Sequence, residues 1–144
     1  MVQVKFVKLR QSAHIPTKAH EDDAGFDLYA SEDCALPSRG FGCVPTALSI
    51  ELPRGYEAQV RPRSGLAAKH GVTVLNAPGT IDAGYRGEVK VILINHGEED
   101  FLITAGMRIA QMVIAPVVAA EFIEVSSLED SVRGEGGFGS SGTN

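Results

Sequence analysis

Alternation of apolar and polar residues is the dominant pattern along this chain of 144 residues. Four stretches alternate with a period of two, which places the apolar side chains of an extended strand on one face. These stretches are residues 2–6, 48–52, 56–60 and 89–93. Four further runs rich in β-branched and aromatic residues also predict strands, at residues 72–75, 101–104, 109–114 and 122–125.

Turn sequences containing glycine or proline separate these predicted strands. They lie at residues 36–40, 53–55, 77–79, 95–97 and 105–106. Only Ser64–His70 has a helical pattern, and it is about two turns long. Short strands at this spacing predict an all-β domain, built as a sandwich, jelly roll or barrel, with one short helix.

Composition narrows the class of protein. The chain is 44% hydrophobic, which suffices for one buried core, and its net charge is −5. No basic stripe is present, so we expect no binding to a nucleic acid polymer. We expect no membrane partner either, because no apolar run reaches the roughly 20 residues of a membrane helix. The first ten residues do not resemble a targeting signal, so the chain is predicted to be cytoplasmic, or also nuclear in a eukaryote.

Cysteine and histidine are sparse. Cys34 and Cys43 lie nine residues apart, and free thiols in a reducing compartment are favoured over a disulfide between them. No histidine has ligand spacing with either cysteine, which argues against a zinc enzyme.

Residues 133–142 differ in kind from the rest of the chain. This segment has five glycines and no periodicity, and these features alone predict a flexible terminus that has no function. It also contains one cation, Arg133, and one aromatic ring, Phe138. That combination suits an arm that orders over an anionic, planar ligand.

Two segments contain charged residues in settings that could indicate a site. Asp27 lies within an apolar stretch, where an unpaired carboxylate is costly, although a turn aspartate before a strand is an ordinary alternative. Ser64 is a good N-cap for the short helix, Gly65 permits close approach, and Arg63 adds a cation at the helix start. An ordinary capped helix would look the same.

Two further segments carry polar residues at glycine-rich turns. Residues 76–87 contain Asn76, Asp82 and Tyr85, which could line a pocket, with Asp82 taking a proton from water. Simple hairpin geometry also explains the aspartate and the glycines. In residues 106–112, Arg108 and Gln111 are three apart, so on a regular strand only one of them faces a given pocket.

Together and in this order, these segments resemble the five motifs of the trimeric dUTPase family (deoxyuridine triphosphate nucleotidohydrolases). The resemblance covers nearly the whole chain, from Ala24 to Gly142. Its most specific parts are residues 62–67 and the Arg-Gly-x-Gly-Gly-Phe-Gly-Ser run of the terminus. Ser141 stands where threonine is common in the family, a change that keeps the hydroxyl.

The resemblance implies a distorted jelly roll (β-clip) that forms a homotrimer with shared active sites. A core of residues 1–132 would be followed by an arm of residues 133–144 that closes over the site. The implied reaction is hydrolysis of dUTP to dUMP and pyrophosphate, which keeps uracil out of DNA and supplies dUMP for thymidylate synthesis. Mg²⁺ would be the cofactor.

The resemblance also implies roles for individual residues. Asp82 would activate the water that attacks the α-phosphorus, and Asp27 would hold Mg²⁺ through water. Tyr85 would pack under the deoxyribose and exclude a 2′-hydroxyl. The remaining substrate contacts would be Arg63, Ser64, Gly65 and Gln111 near the phosphates, Asn76, Thr80 and Ile81 at uracil, Lys90 on the following strand, and Arg133, Phe138, Gly139 and Ser140 in the arm.

Three other interpretations compete with this one. A dCTP deaminase-like relative would share the fold, but it would activate water at the base with a glutamate. A nucleotide-binding trimer without catalysis would not need Asp82. A purely structural jelly-roll protein would leave Arg133 and Phe138 unexplained.

Overall fold

Ten β-strands and one α-helix form the computed structural model, which describes all 144 residues. The elements in chain order are β1 (Lys5–Lys8), β2 (Phe26–Tyr29), β3 (Cys34–Leu36), β4 (Phe41–Glu51), β5 (Tyr56–Arg61), α1 (Ser64–His70), β6 (Val72–Val74), β7 (Gly79–Ile81), β8 (Val89–Asn95), β9 (Phe101–Ile103) and β10 (Arg108–Pro116). The predicted all-β class with one short helix is confirmed. No helix is long and apolar enough to cross a membrane.

All strand pairs are antiparallel, and the sheets stay open. Two four-stranded sheets have the orders β1-β4-β8-β6 and β2-β10-β5-β7, and β3 pairs with β9 in a third. The core is one cluster of 18 buried residues contributed by both large sheets, with Leu28 and Ile109 on one side and Val91 and Leu93 on the other. Layers of antiparallel sheet around one core give the jelly-roll architecture.

The predicted alternation is seen most clearly on β8. Val89, Val91 and Leu93 are buried, and the residues between them are more exposed. The edge strand β1 departs from the pattern, because all four of its residues are exposed. The sequence analysis did not identify β2, β3 or β7, which are only three or four residues long.

The predicted strand at residues 122–125 is wrong. The chain forms no strand after β10 ends at Pro116, and the side chain of Phe122 is fully exposed. A strand needs a neighbour for its backbone hydrogen bonds, and no backbone hydrogen bond joins these residues to another segment of the chain.

The helix α1 has the predicted bounds, but its start is built differently. Gly71 ends it in the left-handed conformation, with φ 66°, and donates its amide to the carbonyl of Ala67. The prediction that Ser64 is the N-cap is wrong, because Arg63 occupies that position and no side chain caps the helix. Ser64 is exposed and its hydroxyl makes no hydrogen bond within the chain, so it is available to a ligand.

Candidate active site

A cavity of about 640 Å³ opens beside the start of α1. Its walls come from α1, from β2 and the loop before it, and from the start of β10. We refer to it as the α1 cavity. It brings together five residues that the sequence analysis assigned to a site, namely Asp27, Arg63, Ser64, Gly65 and Gln111.

Asp27 organises the cations of the α1 cavity. Its Oδ1 lies 3.1 Å from Nε of Arg63, and its Oδ2 lies 3.6 Å from Nε of Arg108. The carboxylate is only 16% exposed, whereas the two guanidinium side chains are 34% and 53% exposed. One carboxylate therefore holds two arginines side by side by their inner nitrogens. Nη1 of Arg63 also donates to the carbonyl of Arg108 at 3.5 Å, and the remaining outer nitrogens make no hydrogen bond within the chain, so they can bind an anion.

Gln111 connects three walls of the α1 cavity. Its Nε2 donates a hydrogen bond to the carbonyl of Pro62 at 3.0 Å, two residues before α1. Its side chain lies so close to Gly25 that a Cβ on that glycine would be only 3.0 Å from Cδ of Gln111 and closer still to its Oε1. Gly25 is therefore required for the close approach of β10 to the loop before β2.

Arg108 and Gln111 both line the α1 cavity, because β10 is not the regular strand on which only one of them would face a given pocket. The register between β10 and β2 pairs Arg108 with Tyr29 and Ala110 with Leu28. Between these two pairs the chain advances by two residues on β10 but by only one on β2, which is a β-bulge. The extra residue turns Arg108 back to the face that carries Gln111.

Sequence reasoning missed two basic residues of the α1 cavity, Lys69 and His70. Arg108, which also lines the cavity, was considered beside Gln111 but was given no substrate contact. Helical spacing could have revealed Lys69, because it lies four residues after Gly65 and therefore on the same face of α1.

A second cavity, of about 380 Å³, lies against β8 and the hairpin that precedes it. We refer to it as the hairpin cavity. Four residues of the sequence prediction line it, namely Thr80, Ile81, Tyr85 and Lys90. Asn76 and Asp82 lie on the same hairpin and are exposed, but they are outside this wall.

Hydrogen bonds to the main chain hold the hairpin. The hydroxyl of Tyr85 donates to the carbonyl of Glu88 at 3.0 Å, and that of Ser49 donates to the carbonyl of Arg86 at 2.6 Å. The Glu88 carboxylate accepts two hydrogen bonds from Arg10, at 3.1 and 2.7 Å. These bonds lower the pKa of Glu88, while partial burial opposes them and the amide of Ala47 adds to them.

The terminal segment makes no hydrogen bond to any strand or to α1, and it joins the preceding chain only through the Gly134 amide, which donates to Ser131. Arg133 donates from Nε to the carbonyl of Gly136 at 2.7 Å, and the other bonds of this segment also remain local. The side chains of Arg133, Phe138 and Ser140, and Gly139 beside them, are exposed. The structure does not bring these four residues to either cavity.

The α1 cavity and the hairpin cavity share no residue. The first is polar and contains five charged side chains with His70 beside them, and the second is lined mainly by apolar residues. Within one chain, the residues predicted to bind phosphate and those predicted to bind base and sugar therefore form separate surfaces.

The donor set of the α1 cavity suits a magnesium ion that keeps its water. No three acidic, histidine or cysteine side chains gather anywhere in the chain, so the protein alone builds no cage for a cation. Mg²⁺ commonly retains several waters and binds one or two carboxylates together with phosphate oxygens. Asp27, which is partly exposed and already holds two arginines, fits a contact made through water.

Comparison with known proteins identifies the relatives of this chain. A family model described as dUTPase matches residues 11–142. The deoxyuridine 5'-triphosphate nucleotidohydrolase of Crocosphaera subtropica is 57% identical over 141 residues, which cover 98% of this chain and 99% of the relative. The protein of the same name from Clostridium tetani is 55% identical over 139 residues, or 96% of both chains.

A solved structure agrees with these sequence matches. The dUTPase of Staphylococcus bacteriophage 80alpha, in a structure with dUPNHPP, superposes with a TM-score of 0.91. It is 28% identical, and the match covers 98% of this chain and 99% of that one.

Proposed function

Because this chain belongs to the dUTPase family, we propose that it is a dUTP diphosphatase whose Asp82 activates a water for in-line attack on the α-phosphorus. The products are dUMP and pyrophosphate. The observation that carries this proposal is the pair of cavities, one lined by cations and one mainly by apolar groups, on two surfaces of the same chain. They match the two chemically different ends of a deoxynucleoside triphosphate.

The α1 cavity binds the triphosphate in this proposal. Arg63 and Arg108 are fixed by Asp27, and their free nitrogens form charge-assisted hydrogen bonds with phosphate oxygens. The unpaired hydroxyl of Ser64 donates to the same group, and Gly65 leaves room for it to approach, because a Cβ there would meet nothing within 4 Å. Gln111 holds the backbone at Pro62, so its contribution includes keeping Arg63 and Ser64 in place.

The hairpin cavity binds the base and sugar. Main-chain groups near Thr80 and Ile81, with Asn76, contact uracil, and Lys90 makes a further contact with the substrate. The Tyr85 ring packs under the deoxyribose and leaves no room for a 2′-hydroxyl. Asp82 is exposed on this hairpin, where its carboxylate can accept a proton from the attacking water.

A complete site forms between copies of the chain in a homotrimer. The α1 cavity of one subunit faces the hairpin cavity of a second subunit, which explains why one chain separates the two halves. The arm of residues 133–144 closes over them, with Arg133 on the γ-phosphate and Phe138 stacked on uracil beside Gly139 and Ser140. The arm makes no hydrogen bond to a strand or to α1 of its own chain, which leaves it free to do so.

In this proposal Asp27 would hold magnesium through water. When bound, the ion neutralises charge that develops on the departing pyrophosphate. The enzyme acts in the cytoplasm, where it keeps uracil out of DNA and supplies dUMP for thymidylate synthesis.

Pyrophosphate release from dUTP with Mg²⁺, measured beside dTTP, dCTP and UTP, tests the proposal. We expect rapid release from dUTP alone. No release from any nucleotide would overturn it and would leave the binding or structural alternatives. Ammonia release from dCTP would instead identify the deaminase-like relative, which the family match does not favour.

A further inference from the structure

The ring of Tyr85 lies directly over Gly87. A Cβ placed on Gly87 would be 2.6 Å from Cζ of Tyr85 and 2.9 Å from its Cε2, and it would be closer still to the hydroxyl. No such overlap is tolerated between real atoms. The ring therefore occupies its observed position only because residue 87 has no side chain.

The far end of the same ring is held by Glu88. The Tyr85 hydroxyl donates to the Glu88 carbonyl at 3.0 Å, so the ring spans Gly87 from one side to the other. This contact fixes the ring only if the carbonyl itself is fixed.

The side chain of Glu88 fixes that carbonyl to the body of the protein. Its carboxylate accepts hydrogen bonds from Arg10 at 3.1 and 2.7 Å and from the Ala47 amide at 3.1 Å. Ala47 is fully buried in a bulge of β4 and has a left-handed backbone, with φ 58°. Glu88 thus joins three segments that are far apart in sequence.

The residues on either side of Glu88 are held by the same part of β4. Ser49 donates to the carbonyl of Arg86 at 2.6 Å, and Thr46 donates to that of Val89 at 2.5 Å. Both hydroxyl groups belong to residues that are buried. The hairpin around Tyr85 is therefore anchored by main-chain contacts, although Tyr85 itself is 47% exposed.

We propose that Gly87 and Glu88 are specificity-positioning residues that fix the Tyr85 ring as a rigid wall against the 2′ position of the sugar. This inference rests on the proposed function, in which Tyr85 excludes ribonucleotides. A wall rejects one extra hydroxyl only if it does not yield, since a ring free to tilt would make room for the oxygen. Gly87 determines where the ring lies, and Glu88 keeps it there.

Gly87→Ala is the direct test. The added methyl group displaces the end of a half-exposed side chain rather than the backbone, so the protein is expected to fold with a tilted ring. The ratio of kcat/KM for dUTP to that for UTP should fall by about tenfold. Gly84→Ala is the matched control on the same hairpin, because a Cβ there meets nothing within 4 Å and the ratio should not change.

A double-mutant cycle shows whether the effect passes through the ring. In a Tyr85→Ala background, Gly87→Ala should change the ratio no further, because there is no ring to displace. If Gly87→Ala lowers kcat/KM equally for dUTP and UTP, or lowers the ratio just as much without the ring, the positioning role is wrong.

Glu88→Ala provides a second, independent variant. It keeps the backbone carbonyl but removes its anchor, so the ratio should fall, and Glu88→Gln should restore part of it through an acceptor for the Ala47 amide. Glu51→Ala breaks an exposed ion pair at 3.3 Å on β4 and should leave the ratio unchanged. An unchanged ratio in Glu88→Ala would overturn the role of Glu88.

The outcomes separate this inference from the proposed function. If the wild-type chain does not hydrolyse dUTP, or hydrolyses UTP equally well, the proposed function fails. If the wild type discriminates and Tyr85→Ala abolishes discrimination while Gly87→Ala retains it, only the positioning inference fails.

Discussion

The two cavities are held together in different ways. In the α1 cavity, ion pairs between side chains position the binding groups, and its arginines remain 34% and 53% exposed. In the hairpin cavity, hydrogen bonds to main-chain carbonyls from the buried Ser49 and Thr46 position the backbone itself. Phosphate can be recognised by charged side chains that ion pairs position, whereas rejecting a 2′-hydroxyl depends on a ring whose supporting backbone is fixed.

The largest effect is expected for Asp82→Asn, which should remove catalysis at the hairpin and leave substrate binding intact. Asp82→Asn cannot accept the proton from water, so kcat for dUTP should fall by about 10²–10⁴-fold. Calorimetric titration with dUPNHPP should still detect binding close to that of the wild type. Normal turnover in this variant would remove Asp82 from the role of general base.

Truncation after Val132 separates both cavities from the arm. The core should remain folded, since no hydrogen bond joins residues 133–144 to a strand or to α1. Turnover should fall by roughly 10–100-fold, because the stacking of Phe138 on uracil and the contact of Arg133 with phosphate are lost. Steady-state kinetics and a thermal melt check both statements. A chain that ends at Gly142 serves as the control and should be fully active. Full activity of the chain that ends at Val132 would show that the arm takes no part in catalysis.

Arg108→Gln tests whether the α1 cavity recognises only phosphate. Removing one charge should raise KM by about tenfold for dUTP, and it should weaken inhibition by pyrophosphate to a similar degree. The preference for dUTP over UTP should not change, in contrast to the effect of Gly87→Ala. Arg54→Gln, which lies outside both cavities, should alter none of these values. A changed preference in Arg108→Gln would mean that the two cavities do not act separately.

The smallest expected effect concerns stability. Because hydrogen bonds from Arg10 lower the pKa of folded Glu88 below its usual 4.5, the pair stabilises the fold above that pH and loses its effect as the pH falls through the lowered value. Glu88→Gln should reduce the free energy of unfolding by an amount on the order of 1 kcal/mol at pH 7. In urea unfolding, this difference should shrink below pH 4.5, whereas the exposed pair of Lys5 and Glu51 should contribute little at any pH. A difference that persists at acid pH would exclude the ionised pair as its cause.

Local signals allowed much of the fold to be predicted from sequence. The end of α1 follows from Gly71, whose left-handed backbone terminates the helix, whereas its start was placed correctly although Ser64 does not cap it. The period of two on β8 identifies its buried face correctly. The strand predicted at residues 122–125 failed because apolar side chains suggest a strand, but only a neighbouring strand completes one.

Contacts between distant segments could not be predicted. Arg10 and Glu88 are 78 residues apart, and neither belongs to a recognisable motif with the other. The dependence of Tyr85 on Gly87 also requires coordinates, because a glycine in a hairpin is explained equally well by the turn. The residues predicted at the α1 cavity do lie together, whereas their roles and those of the arm stay predictions.

The β-bulge between Arg108 and Ala110 makes the spacing of the two polar groups depend on the regularity of β10. On an even ladder, residues three apart face opposite sides, whereas residues two apart share a face. A relative with the same two residues three apart therefore needs the bulge to keep both in one pocket, and a relative with the two residues two apart needs an even strand instead. Counting the residues between the arginine and the glutamine of a distant relative then indicates whether its strand must carry a bulge.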